Sequence, residues 1–203
     1  MKHLLLITAL SSAPVFAADI CAKLPTGESN RAVYQTLRET IRQSATHEQP
    51  SEPKRTAADP ETVRAAQVAL CRASHIDAGV GGYGYLVQSQ SIAYAVLRQQ
   101  PDADQQFADL FRSSRHTATK IYALAGLAAS KNPAAAAQYR RLRAQINPEE
   151  NVGFAWTDVV DGRSVGDMLQ WIDSGKFDEA VLSSEFCRRS GLCGEKPRQS
   201  GAH

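Results

Sequence analysis

Apolar residues recur along this chain mostly at helical spacing. Val33, Leu37 and Ile41 share one helix face behind Ser29 and Asn30, either of which can cap that helix. Asp59-Pro60-Glu61 restarts the pattern: Asp59 caps, Pro60 suits the first turn, and Glu61 favours the positive end of the dipole. Val63, Ala66, Leu70 and Cys71 then follow in helical register. A further helix is predicted from about Leu86 to Gln99, carrying Ile92, Ala95, Val96 and Leu97, with Pro101 closing it. Phe107, Leu110 and Phe111 mark the next face. The widest apolar stripe, Ile121, Leu124, Ala125, Leu127 and Ala128, falls in a helix from about Thr117 to Ser130. Asn132-Pro133 starts another, with Ala136, Tyr139, Leu142 and Ile146. Ser164, with Asp167 in a variant capping box, opens a helix that buries Met168, Leu169 and Ile172 and ends at Gly175. Phe177 to Cys187 reads as the last helix.

One stretch departs from this rhythm. In Asn151 to Gly162, Val152, Phe154 and Trp156 alternate with Gly153 and Ala155, which suits either a short strand or an irregular packed loop. No repeat emerges, and alternating β-branched runs are few. The expected fold is all-α: an irregular helical bundle, or a short stack of antiparallel helix pairs resembling a helical repeat. One such domain is expected over residues 18–195. Ala45 to Ala58, polar and holding Pro50 and Pro53, reads as a flexible loop, and 196–203 as a disordered tail.

The N-terminus changes the setting. Lys2, the apolar run Leu4 to Leu10 and the small residue ending Val15-Phe16-Ala17 have the build of a signal peptide, with cleavage expected between Ala17 and Ala18. Asp19 lies where a lipid-anchored cysteine at Cys21 would need a small apolar neighbour, which argues against an anchor. The expected location is therefore periplasmic or secreted, without membrane insertion after cleavage. Removing the signal removes Lys2 and no acid, so 23 basic and 21 acidic residues become 22 and 21. Such a near-neutral chain is not built to hold nucleic acid, and Arg140-Arg141-Leu142-Arg143 reads as a solvated helix face.

Four cysteines in an exported chain favour disulfides, and three pairings are formally open. Cys187 and Cys193 are close in the chain with Gly191 between them, so they are expected to pair, leaving Cys21 with Cys71. No metal site or cofactor is expected, because no cysteine pair carries histidine at ligand spacing.

Candidate chemistry is sparse. Gly79-Val80-Gly81-Gly82-Tyr83-Gly84-Tyr85 could form a recognition loop, with Tyr83 and Tyr85 as contacts, or a plain helix connection. His75 and Asp77 could pair only if the preceding helix has ended, since positions two apart on a helix point away from each other. Ser113 and Ser114 near His116 lack a nucleophile elbow. Asp158, Asp161 and Asp167 surround Trp156, which could stack on a sugar or a protein partner. Each aspartate also has a local backbone role in a turn or cap. No residue is assigned as catalytic.

The segment Thr117 to Leu127, Thr-Ala-Thr-Lys-Ile-Tyr-Ala-Leu-Ala-Gly-Leu, resembles a helix recurring in uncharacterised exported all-helical bacterial proteins. Val152 to Gly175 is similar to their downstream segment, although Asp161-Gly162 stands where those proteins often carry Gly-Cys. The resemblance implies a fold rather than an activity. The expected function is protein binding in the bacterial envelope, of the immunity or inhibitor kind, through Tyr83, Tyr85 or Trp156. The alternative is an envelope enzyme acting on glycan or peptidoglycan, which would need Asp158, Asp161 or His75 to converge beside Trp156 or Tyr83.

Overall fold

The computed structural model describes residues 20–24, 27–46, 58–81, 86–156 and 159–193. The signal-like segment, the C-terminal tail, Tyr83, Tyr85 and Asp158 lie outside the described residues. Five helices precede the central one or its partner: α1 (Ile20–Lys23), α2 (Asn30–Thr46), α3 (Pro60–Cys71), α4 (Ser89–Arg98) and α5 (Ala103–Ser113). They are followed by α6 (Thr117–Ala128), α7 (Pro133–Arg143), α8 (Val165–Asp173), α9 (Lys176–Val181) and α10 (Ser184–Ser190). The chain is mostly helical but not all-α. Strands β1 (His75–Asp77), β4 (Asn151–Trp156) and β5 (Val159–Ser164) form one sheet in the order β1-β4-β5, and β2 (Val80–Gly81) pairs with β3 (Leu86–Val87).

The caps act where the sequence places them. Asp59 accepts the backbone N–H groups of Glu61 and Thr62, Asn132 accepts Ala134, and Ser164 accepts Asp167. Ser29 accepts the Ala32 N–H at the start of α2. Three boundaries differ from the sequence pattern. Ala45 and Thr46 belong to α2 rather than to a loop. Leu86 and Val87 are strand, paired antiparallel with Gly81 and Val80, so α4 begins only at Ser89. The last predicted helix is broken at Leu182-Ser183, because the Ser183 hydroxyl accepts the Phe186 N–H and starts α10.

Helix α6 is the centre of the core. Ile121, Tyr122, Leu124 and Leu127 are fully buried, with α5, α7 and α8 packed around them. Tyr94 of α4, Phe107 of α5 and Phe177 of α9 meet the Tyr122 ring or one another, with centroids 5.6–6.0 Å apart. Gly126 admits this packing: a Cβ there would lie 2.3 Å from the Phe107 ring. The Tyr94 hydroxyl donates to Asp178 at 2.8 Å, and Arg98 pairs with the same carboxylate, which docks α9 on α4. Cys21 is bonded to Cys71 and Cys187 to Cys193, so α1 is tied to the end of α3, and α10 to the chain that follows it.

The sheet is the part that composition did not announce. β4 and β5 form an antiparallel ribbon, and β1 runs parallel to β4 with His75, Ile76 and Asp77 opposite Gly153, Phe154 and Ala155. The parallel pair is closed by the whole passage through α4 to α7, a crossover of the length such pairing requires. Ile76, Val152 and Phe154 point into the core, and His75 and Asp77 lie on the opposite sheet face.

Candidate functional site

Helix α3 ends at Cys71, and the chain runs extended from His75. On a strand, residues two apart share a face. His75 Nε2 accordingly lies 3.0 Å from Asp77 Oδ1, with the Asp77 side chain 4% exposed and the His75 ring 32% exposed. Ser74 Oγ is 3.1 Å from His75 Nδ1. The Asp77 backbone N–H donates to the Tyr122 hydroxyl at 2.9 Å, so α6 holds the strand from beneath. The hydrogen bond with Asp77 raises the His75 pKa, against the opposing effect of burial. Burial pushes the Tyr122 phenol well up, so it stays neutral. Asp77 Oδ2 is buried without a hydrogen-bond partner among the described residues.

Serine, imidazole and carboxylate thus stand in contact order. Acyl transfer also needs a cleft, and donors aimed at the developing oxyanion. Neither of two surface cavities that the fold forms includes these three residues. The cluster orders the end of the sheet and leaves an imidazole at its surface.

Gly153 lies between His75 and the ribbon. A Cβ there would stand 3.0 Å from His75 Cβ and 3.0 Å from Val160 Cγ1, so the absent side chain lets the two close over the strand. Val160 is 57% exposed, Val159 58% and Trp156 43%; they are the large hydrophobics exposed among the described residues. Trp156 sits opposite Val159 at the ribbon tip, and Val160 points to the other face, so apolar surface covers both sides. The Trp156 ring is anchored inward, 5.0 Å from Phe154, whose ring in turn meets Trp171 at 5.4 Å. Arg163 covers Trp171 at 5.6 Å. β5 is the terminal strand, and its outer edge pairs with no strand among the described residues.

The other predicted residues are brought together only in part. Asp161 is opposite Phe154, on the sheet face away from His75 and Asp77. Asp167 is exposed in the first turn of α8, where its N–H bonds the Ser164 cap. Of the groups an envelope glycosidase would use, Asp161 shares the sheet face of Trp156, at the next pair along that face of the ribbon, whereas His75 lies on the other face. Ser113 donates to the Asp109 carbonyl, and Ser114 accepts the His116 N–H. Arg140 and Arg141 are exposed, whereas Arg143 pairs with Asp173 at 3.0 Å. Among the described residues, no group of three or more His, Cys, Asp or Glu side chains is placed to hold a metal ion.

Sequence reasoning reached Trp156 but not Val159 or Val160, because an apolar pair reads as core by default. Their position just past the alternating Val152-Phe154-Trp156 run, on the return arm of a hairpin, was the available signal. No family model, curated protein or solved structure matches the chain.

Proposed function

We propose that this is an exported bacterial protein that works by binding another protein through the β4–β5 ribbon, as an immunity or inhibitor protein of the envelope does. The observation that carries this reading is the ribbon tip. Trp156 at the end of β4 and Val159 and Val160 at the start of the outermost strand β5 stand exposed at one tip, while the other large apolar side chains among the described residues are covered. An exposed tryptophan backed by Phe154 is a rigid anchor of the kind that dominates binding energy at interfaces. The free edge of β5 supplies backbone donors and acceptors for an added strand.

The compartment is supported by the disulfides Cys21–Cys71 and Cys187–Cys193, which persist in oxidising surroundings. No helix among the described residues is long and apolar enough to cross a membrane. The signal-like sequence at residues 1–17 supports the same reading.

Site-specific photo-crosslinking tests the reading. A benzophenone side chain at the exposed Asp161 position should capture one specific protein in the producing cell's envelope, and the same group at Arg141 should not. Equal or absent capture from both positions would remove the ribbon as the binding surface.

A further inference from the structure

A second feature lies away from the ribbon. The junction of α1, the end of α3 and the α5–α6 turn encloses a cavity of about 340 Å³. That is near the lower bound for small-ligand pockets. Its floor is apolar: Leu24, Val68 and the Cys21–Cys71 disulfide. Arg72, Arg115 and His116 also line it, and among the described residues no carboxylate does, the nearby Glu28 carboxylate feeling the Arg72 charge from outside the lining. No strand of the sheet contributes to it.

The rim is arranged rather than merely charged. Arg72 is fixed by donating to the Glu28 carbonyl at 2.7 Å and to Asn30 Oδ1 at 3.0 Å, which holds its guanidinium beside the opening. Arg115 and His116 occupy the short turn between α5 and α6, and the Ser114 hydroxyl, itself buried, accepts the His116 N–H at 3.0 Å and sets that turn. The first turn of α6 opens directly after His116, and the Glu150 carboxylate accepts the Thr117 hydroxyl there. Cationic rim and apolar floor together match an anion carried on a short apolar body.

We propose that this cavity binds a carboxylate attached to a small apolar group, either a free acid or the C-terminus of a peptide. The carboxylate meets Arg115 and Arg72, the preferred residue type for planar oxyanions. The apolar part covers Leu24, Val68 and the disulfide. The disulfide is then part of the site as well as a tie, because it holds α1 over Val68.

The test is an amide-resonance titration of the disulfide-bonded protein with three probes: N-acetyl-leucine, its uncharged amide, and a pentapeptide ending in leucine. N-acetyl-leucine should shift the resonances of residues 21–24 and 113–118, and the amide should not. Tighter binding of the pentapeptide assigns a peptide terminus, and weaker binding assigns a free acid; either supports the site. Arg115→Gln, on an exposed turn, should weaken binding at least 10-fold, while Arg141→Gln on the far helix should leave it unchanged. Replacing Cys21 and Cys71 by serine should abolish binding where the helical spectrum is retained. Equal binding of acid and amide, unchanged affinity in Arg115→Gln, or no shifts at all would overturn the proposal. None of these outcomes bears on the ribbon.

Discussion

Replacing Tyr122 by phenylalanine removes one oxygen from the floor beneath the sheet. That oxygen accepts the Asp77 N–H at 2.9 Å and also meets the Ser91 hydroxyl. Both donors are buried, since Tyr122 and Ser91 are fully covered and Asp77 nearly so, which disfavours water taking the place of the phenol. Ser91 keeps a second, long bond to the Asp77 carbonyl at 3.4 Å, so the main loss is the orphaned backbone N–H. A buried donor left unpaired costs about 1–3 kcal/mol. For Tyr122→Phe a loss of about 2 kcal/mol is expected, which lowers Tm by roughly 4–8 °C in a domain of this size. Tyr139→Phe is the internal comparison. Its hydroxyl bonds Asp173, which is exposed, so water can take over and a loss of about 0.5 kcal/mol is expected. Urea unfolding of both variants, followed by circular dichroism with the disulfides intact, gives the two values. If Tyr122→Phe is no more destabilised than Tyr139→Phe, the Tyr122 phenol does not hold β1 on the core, and the reasoning fails.

Other perturbations have signs that can be worked in advance. Gly126→Ala gains about 1 kcal/mol of helix propensity, but its methyl group meets the Phe107 ring, which is itself wedged against Tyr94. Overpacking costs about 1–3 kcal/mol, so net destabilisation is expected, and a raised urea midpoint would refute it. The raised His75 pKa makes the His75–Asp77 pair a stabilising contact fully present below the unfolded value of about 6.5 and lost as pH climbs through the folded value. His75→Asn should therefore cost more stability at pH 5.5 than at pH 8.5, by less than about 1 kcal/mol because a third of the ring faces water. A loss that grows with pH would reverse the assignment.

The helices were legible because their signals are local. Asp59-Pro60, Asn132-Pro133 and Ser164 each satisfy backbone donors within three residues, and periodic apolar positions extend from those starts. The sheet was not legible for the opposite reason. β1 is three residues long, and its partner β4 lies beyond four helices, so nothing near His75 records the pairing. Gly153 is the one trace of it, and its role appears only once His75 and Val160 are seen to meet there. Leu86 and Val87 failed in the same way, as residues of helical character whose pairing with Gly81 and Val80 is only two residues long. At the candidate site, the alternation that exposes Trp156 was visible. What the chain does at Val159 and Val160 was not, because exposure depends on which strand ends the sheet. The cavity beside Cys21–Cys71 joins three segments distant in sequence, and no local pattern of Arg72 or Arg115 marks it.

The central claim is that the ribbon tip is a protein-binding surface, and affinity measured at that tip tests it most directly. With the protein captured by crosslinking as titrant, calorimetry on Trp156→Ala should show a loss of at least about 2 kcal/mol, roughly 30-fold in Kd, as truncating a central tryptophan anchor does. Val160→Lys should weaken binding as well, and Arg141→Ala should leave it unchanged. Wild-type affinity in Trp156→Ala and Val160→Lys would contradict the account.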